Sequence, residues 1–149
     1  MNQITVKQAV LADMDVLVPL FDSYRQFYGR TSDLDAAREF LIARFTHGES
    51  VMFLASESNT PIGFAQLYPS FSSVSLARTF ILNDLFVRPE GRRKGIGTQL
   101  LTAAIEYART TNAVWLSLAT EITNETAQAL YQSAGWKRDE QFYVYHFTK

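Results

Sequence analysis

Hydrophobic and polar residues alternate along some stretches of the chain and recur every three to four positions along others. Strict alternation is typical of a strand, because successive side chains point to opposite faces of a sheet. A spacing of three and four is typical of a helix that buries one face. On this basis the sequence predicts the element order β-α-α-β-β-β-α-β-α-β-β.

The first half of the chain is predicted to form a strand, two helices and a hairpin. The strand is Ile4–Gln8, and the first helix starts after the N-cap residue Asp13. Pro19 lies inside that helix and predicts a kink or a late start, because proline lacks the N–H that the helix ladder needs. The second helix starts at the capping sequence Ser32–Asp35. The hairpin strands cover residues 51–56 and 62–68, and the turn between them covers residues 58–61.

The second half is predicted to contain a long central strand, followed by helices and shorter strands. The helix over 96–110 carries one continuous apolar stripe. A later helix is framed by Thr123 or Asn124 as its N-cap and by Gly135 just after its end. The predicted elements are Arg78–Val87, Ile96–Thr110, Ala113–Leu118, Asn124–Ala134 and closing strands at Trp136 and Gln141–Phe147.

This mixture of strands and helices predicts the α/β (α+β) class, with helices on both faces of one mixed central β-sheet. The chain has 149 residues, of which 47% are hydrophobic, and this suffices for a sizeable core. We therefore expect a single domain over residues 1–149.

Composition narrows the classes of function. The formal net charge is −1, so the chain lacks the broad basic field of nucleic-acid binding proteins. There is no cysteine, which rules out disulfides and thiolate catalysis and suits a cytoplasmic location. The N-terminal residues lack the apolar core of a signal peptide, and no apolar run is long enough to span a membrane. His47 and His146 each stand without a second ligand at metal-site spacing, so we expect no metal.

The most informative segment leads from the central strand through a basic, glycine-rich loop directly into a helix. The first N–H groups of a helix have no partners inside it, and its dipole places partial positive charge there. Gly95 and Gly97 let an anion approach the backbone, and Arg92, Arg93 and Lys94 add charge. This order predicts a phosphate-binding site, against the simpler interpretation of a glycine turn on a basic surface.

Two other phosphate-binding loops do not fit this segment. The dinucleotide fingerprint requires glycine at position 100, which is Leu100. The Walker loop requires lysine directly after its last glycine, whereas Lys94 precedes Gly95.

The pattern Arg92-x-x-Gly95-x-Gly97 resembles the acetyl-CoA pyrophosphate loop of the GNAT superfamily of N-acetyltransferases. A second segment, 124–136, resembles the other motif of that superfamily, N-x-x-A-x-x-L-Y-x-x-x-G-[FW], at every fixed position. The resemblance extends over the whole chain, is strongest from Asn83 to Trp136, and implies the GNAT fold.

The resemblance implies that acetyl-CoA is the co-substrate and that its acetyl group passes to a primary amine by direct attack. The acceptor would be a small, polyamine-like amine or a peptide amine. Tyr131 would be the general acid for the departing thiolate, and an N–H near Leu85 would hold the thioester oxygen. The residues expected to bind the cofactor are Leu85, Phe86, Val87, Arg92, Arg93, Lys94, Gly95, Ile96, Gly97, Thr98, Asn124 and Tyr131.

The general base is less clearly indicated. Polyamine-acetylating relatives often carry Glu-Asp where this chain has Asn83-Asp84, and an asparagine cannot accept a proton. Alternation places Asn83 and Asp84 on opposite faces of the strand. Asp84 is either the base or a structural carboxylate; Glu121 and a chain of waters are the alternatives. We expect the acceptor to be bound by Tyr24, Phe27, Tyr28 and Asn83, with Phe71 as a further candidate.

Two other functions are compatible with this pattern. A non-catalytic, CoA-binding sensor could use the same fold, although Tyr131 and the intact loop favour an enzyme. Nucleic-acid binding through residues 92–94 is disfavoured because the basic cluster is short. Members of that superfamily are often dimers, and the aromatic segment 141–147 is a candidate strand for pairing in a homodimer, although the sequence leaves the oligomeric state open.

Overall fold

The central feature of the computed structural model, which describes residues 3–149, is a five-stranded mixed sheet with the order β1-β2-β3-β4-β5. Neighbouring strands from β1 to β4 are antiparallel, and β5 is parallel to β4. The predicted mixed sheet is confirmed. Residues 1 and 2, which the predicted domain includes, lie outside the described residues. The strands are β1 Ile4–Gln8, β2 Val51–Glu57, β3 Thr60–Ser72, β4 Ala77–Val87 and β5 Leu116–Ser117.

The helices begin where the capping residues predict. Asp33 accepts the Ala36 N–H at 3.1 Å at the start of the second helix. The first helix starts directly after Asp13, so Pro19 does not delay it. Asp13 itself does not cap that helix, because its carboxylate accepts the Val10 N–H at 2.8 Å instead. The helices are α1 Met14–Phe27, α2 Leu34–Thr46, α3 Ile96–Thr110 and α4 Glu125–Ser133.

The chain divides into two compact units, Met1–Ala119 and Thr120–Lys149. The first contains the sheet and the helices α1, α2 and α3, and the second contains α4. That the whole chain forms a single domain stays a prediction.

Within the first unit, helices cover both faces of the sheet. Met52 and Leu54 of β2 belong to the core that includes buried residues of α1 and α2. Phe53, which lies between them and points the other way, packs on Tyr107 of α3 with ring centroids 5.8 Å apart. The helices α1 and α3 therefore lie on opposite faces of the sheet.

The connection between α1 and α2 is fixed by a buried carboxylate. Asp22 is 3% exposed and accepts hydrogen bonds from the Asp33 N–H at 2.8 Å, the Ser32 hydroxyl at 2.7 Å and the Gln26 amide at 3.0 Å. Three donors compensate the cost of burying this group. The bonds from Ser32 and Asp33 also tie α1 to the start of α2.

The predicted closing strands at Trp136 and 141–147 are wrong, because no strand is present there. The aromatic residues that suggested the 141–147 strand are largely exposed, with Tyr143 at 90% and Phe147 at 97%. A strand requires a neighbouring strand for its ladder of hydrogen bonds, and residues 120–149 contain no strand at all. The strand predicted over 113–118 is also reduced to Leu116–Ser117.

Candidate active site

The strand β4 has a backbone edge that is only partly paired. On one side β3 pairs with β4 along its length, including Leu85, Phe86 and Val87. On the other side β5 pairs only with Phe80 and Ile81. Among the described residues, β4 has no strand partner on this side over positions 82–87. An extended ligand with amide groups can pair with such an edge as an added strand.

The unpaired edge leads directly into a loop with the geometry of an anion site. After the short turn Pro89–Gly91, Arg93 and Gly95 both have positive φ angles, of 64° and 78°. Left-handed residues alternating in this way turn successive N–H groups into one concavity. The helix α3 starts at Ile96, and its N-cap residue Gly95 offers no side-chain cap. No atom lies within 4 Å of the position that a Cβ would take at Gly95, so this face is open.

The basic side chains of the loop have different partners. The Arg92 guanidinium lies over the Phe27 ring, 5.4 Å from its centroid, and its Nε donates to the Val87 carbonyl at 3.1 Å. Lys94 Nζ forms an ion pair with Glu57 at 2.9 Å. Arg93 is exposed. The loop is anchored by Ile96, which is 1% exposed, while Gly97 and Thr98 form the accessible part of the first helical turn.

Because β4 contains a β-bulge, the orientation of Asn83 and Asp84 differs from the predicted one. Asp84 stands opposite Gln66, and Leu82 stands opposite Leu67, so Asn83 has no partner of its own on β3. The Asn83 amide donates to Asp84 Oδ1 at 3.1 Å, which places the two side chains together. Strict alternation is wrong here because the extra residue of a bulge interrupts it.

The bulge directs Asp84 into a polar cluster beneath α1 and α2. Gln66 Nε2 donates to Asp84 Oδ2 at 2.7 Å, and the Ser50 hydroxyl donates to Gln66 Oε1 at 2.6 Å. The Tyr24 side chain is a further hydrogen-bonding neighbour of the carboxylate. Burial raises the pKa of Asp84, although the hydrogen bonds from Gln66, Tyr24 and Asn83 act in the opposite direction.

The tyrosines around this carboxylate stay neutral at physiological pH. Burial and the Asp84 charge raise the pKa of Tyr68 to about 12. The same two causes raise the pKa of Tyr24 further above its ordinary value. Both phenols therefore keep their protons and can donate hydrogen bonds.

Aromatic side chains line the approach to this cluster. Tyr24 packs against Tyr28 at 5.1 Å and Phe86 at 6.0 Å between ring centroids, and Phe27 packs against Tyr28 at 5.3 Å. Phe27 and Tyr28 are 61% and 54% exposed, so the rim is open to solvent. Phe71 is not part of this group, because it lies opposite Arg78 at the far end of β4.

The remaining predicted site residues belong to the second unit. The Asn124 side chain caps α4 by accepting the Ala127 N–H at 3.1 Å. Tyr131 is half-buried on α4 and packs against Trp136, with ring centroids 6.1 Å apart. Glu121 is exposed in the turn before the helix, and its backbone carbonyl accepts a hydrogen bond from the Gln128 side chain.

Sequence reasoning missed Gln66, Ser50 and Tyr68. A signal for Gln66 was available, because a glutamine stands within the apolar run Phe64-Ala65-Gln66-Leu67. Such a residue in a strand buried on both faces requires a polar partner. The identity of that partner depends on the register between β3 and β4, which no local pattern contains.

Among residues 3–149, no three histidine, aspartate or glutamate side chains are grouped so that they could hold a metal ion. Over the same range, the helices are too short or too polar to cross a membrane.

Known proteins resemble this chain along most of its length. A model of the acetyltransferase (GNAT) family matches residues 17–136. An uncharacterized N-acetyltransferase, YhfO, of Bacillus subtilis (strain 168) is 48% identical over 140 residues, which cover 94% of each chain. The crystal structure of a probable acetyltransferase superposes with a TM-score of 0.93 at 43% identity, covering 97% of each chain. The fold is shared with aminoglycoside N-acetyltransferase AAC(6')-Iy in complex with CoA, at a TM-score of 0.81 and 18% identity over 99% of this chain and 96% of that one.

We predict that Asp84→Asn makes the protein more stable to urea at pH 7. The folded state raises the pKa of Asp84 above its ordinary value of 3.8. Between that value and the folded pKa, the folded state binds more protons than the unfolded chain, so stability falls as pH rises through this window. Asparagine removes the buried charge, keeps the shape of the side chain and still accepts from Gln66 through its oxygen, while the exposed Asn83 amide can turn so that its own oxygen accepts from the new NH2 group.

The comparison requires urea unfolding at pH 7 and near pH 4. The gain should shrink toward pH 4, where the wild-type carboxylate is increasingly protonated. Asp35→Asn is the control: this exposed carboxylate lies in the first turn of α2, and its loss should destabilise by a few tenths of a kcal/mol. An Asp84→Asn variant that is less stable than wild type at pH 7 would contradict the interpretation.

Proposed function

The chain belongs to the GNAT acetyltransferase family of acetyl-CoA-dependent acyltransferases, and on this premise we propose that it transfers the acetyl group of acetyl-CoA to a primary amine by direct attack. The observation that carries this proposal is the unpaired edge of β4 over positions 82–87, which runs into the open anion loop at the start of α3. The acceptor is a small amine or a peptide amine.

The proposed cofactor site uses mainly backbone groups. The pantetheine arm pairs with the β4 edge at Leu85, Phe86 and Val87, as an added strand would. Its amides match the spacing of strand hydrogen bonds, and its thioester oxygen accepts an N–H near Leu85. The diphosphate lies on the N–H groups over 92–98, where the start of α3 and the basic side chains supply positive charge. Asn124 contacts the pantetheine arm.

The acceptor must lose a proton before it can attack. An alkyl amine with a pKa near 10.4 is almost fully protonated at neutral pH. We assign Asp84 as the final proton acceptor, because it is a carboxylate at the inner end of the aromatic approach. Asp84 is only 5% exposed, so the proton travels through Tyr24. The amine donates to the Tyr24 oxygen while the Tyr24 hydroxyl passes its own proton to the carboxylate.

The breakdown of the tetrahedral intermediate requires a second proton. The carbon–sulfur bond breaks, and the electron pair leaves with the sulfur of CoA. We assign Tyr131 as the general acid that protonates this thiolate, because it occupies the tyrosine position of the family motif. The second proton that the nitrogen loses as the amide forms then restores the Tyr131 hydroxyl. Glu121 is the alternative to Asp84 as base, and its exposed side chain makes it the weaker candidate.

We predict that Gly95→Ala weakens CoA binding at least tenfold. Gly95 has a φ of 78°, and an alanine would both strain this conformation by about 1–2 kcal/mol and place a methyl group on the open face of the loop. Calorimetric titration with CoA measures the effect. Gly48→Ala is the matched control, since Gly48 has a φ of 67° and equally open surroundings outside the loop. Equal loss of CoA affinity in both variants would argue against the loop as the diphosphate site.

The proposed reaction is tested by release of free thiol from acetyl-CoA in the presence of an amine panel. The panel contains an aliphatic diamine, an amino sugar and a peptide with a free N-terminus. Turnover of at least one amine is expected. Binding of acetyl-CoA without turnover of any panel amine would favour the non-catalytic sensor.

We predict that Tyr131→Phe lowers kcat by about 10²–10⁴ with the best amine, the range expected for lost proton transfer. Phenylalanine keeps the ring that packs on Trp136 and removes only the hydroxyl. Tyr143→Phe is the matched control, because Tyr143 lies in the same unit and is 90% exposed. If both variants keep the wild-type kcat, Tyr131 is not the acid.

A further inference from the structure

We propose that Gln66, held by Ser50, is a positioning residue that fixes the Asp84 carboxylate and keeps it ionised. This inference rests on the proposed function, in which Asp84 receives the proton of the acceptor amine. Gln66 lies opposite Asp84 in the β3–β4 register, at the bulge. It meets no reacting atom and acts only through the carboxylate.

The geometry orients the Gln66 amide in one direction. An ionised carboxylate only accepts hydrogen bonds, so the amide nitrogen must face Asp84, and this bond is 2.7 Å long. The amide oxygen then faces the Ser50 hydroxyl, which donates to it at 2.6 Å. The carboxylate therefore sets the orientation of the amide, because a rotated amide would present an oxygen to it, and the bond from Ser50 holds the amide in place.

The burial of these three side chains indicates that the arrangement has a role other than packing. Ser50, Gln66 and Asp84 are 8%, 0% and 5% exposed. A buried amide and a buried carboxylate each cost free energy that an apolar pair of the same size would not. Packing alone does not require such a pair at the centre of the sheet. Its distinctive property is that it places a negative charge at one fixed position.

Among the groups that face Asp84, the phenols stay protonated at physiological pH. From α1 it faces Tyr24, with Tyr28 beyond, and from β3 it faces Tyr68. The α2 residue Arg44 acts on Tyr68, and Asn83 of β4 is neutral. The raised pKa of Tyr24 and of Tyr68 keeps those phenols protonated. A change at Gln66 should therefore alter the protonation of Asp84 and not that of the phenols.

The proposal is tested first without any acceptor. Gln66→Met keeps the length of the side chain but removes the donor, so Asp84 should be harder to ionise. Its carboxyl carbon is followed by ¹³C NMR as a function of pH. We expect the midpoint of this titration to move up by about one pH unit, which corresponds to an increase of about tenfold in the proton affinity of Asp84.

Two further variants keep the test decisive. Ser50→Ala keeps the amide but removes the hydrogen bond that holds it, so the midpoint should move in the same direction by less. This variant replaces Gln66→Met if Gln66→Met does not fold. Gln26→Met is the matched control, because it removes an amide that donates to the buried carboxylate of Asp22 at 3.0 Å. It should leave the midpoint of Asp84 unchanged. An unmoved midpoint in both Gln66→Met and Ser50→Ala would overturn the proposal.

The pH profile of kcat then separates this inference from the proposed function. With the best amine of the panel at saturation, the acid limb of the kcat profile should move to higher pH in Gln66→Met. The displacement should equal the one measured by NMR. A uniform loss of kcat at all pH values, with no shift, would indicate a structural role and refute the positioning role. If the NMR midpoint moves but Asp84→Asn leaves the acid limb intact, the assignment of Asp84 as base fails, while its coupling to Gln66 stands.

Discussion

The geometry of the site depends on one extra residue in β4. Upstream of Asn83 the strand directs Phe80 onto Tyr107 of α3, and downstream it directs Phe86 onto Tyr24 of α1. Phe80 and Phe86 are separated by an even number of positions, so a regular strand would place them on the same face. The bulge reverses this, and it brings Asp84 to the side of α1 and α2.

A bulge also increases local twist, and the pairing with β5 ends just before it. The same irregularity thus accompanies both the open backbone edge and the buried carboxylate.

The buried polar groups on the proposed acceptor side lower the stability of the folded protein. A carboxylate and an amide stand at the centre of a sheet whose other buried positions are mostly apolar. Asp22 shows the contrast. It is equally buried, yet its donors hold the connection between α1 and α2 together. At Asp84 the donors reduce the penalty of burial without reversing it, since its pKa remains raised. A carboxylate left in this state is a better proton acceptor than one with its ordinary pKa, because it holds the accepted proton more tightly.

Local patterns in the sequence were sufficient to predict much of the fold, including the loop that leads into α3. The helix Ile96–Thr110 and the loop before it follow from apolar spacing, glycine and charge, which are properties of neighbouring residues. The bulge at Asn83 could not be predicted in this way, because it is defined by the pairing of β4 with β3. The partnership of Gln66 with Asp84 depends on the same pairing. The closing strand over 141–147 failed for a related reason: aromatic alternation gives a segment the propensity for a strand, but only a neighbouring strand can satisfy its backbone.

The two halves of the proposed site recognise their ligands by different kinds of group. On the cofactor side, the β4 edge and the start of α3 offer backbone N–H and C=O groups, which every residue except proline carries in full. That side therefore depends on the fold and on a few glycines, and a family resemblance is enough to predict it. The acceptor side uses side chains from separate segments, such as Tyr24, Tyr68 and Asp84, and each can change without altering the backbone. At Asn83 the amide donates to Asp84 and adds no second charge. The bulge therefore holds one negative charge in a fixed position, and the acceptor amine has to be understood from that charge and the aromatic rings around it.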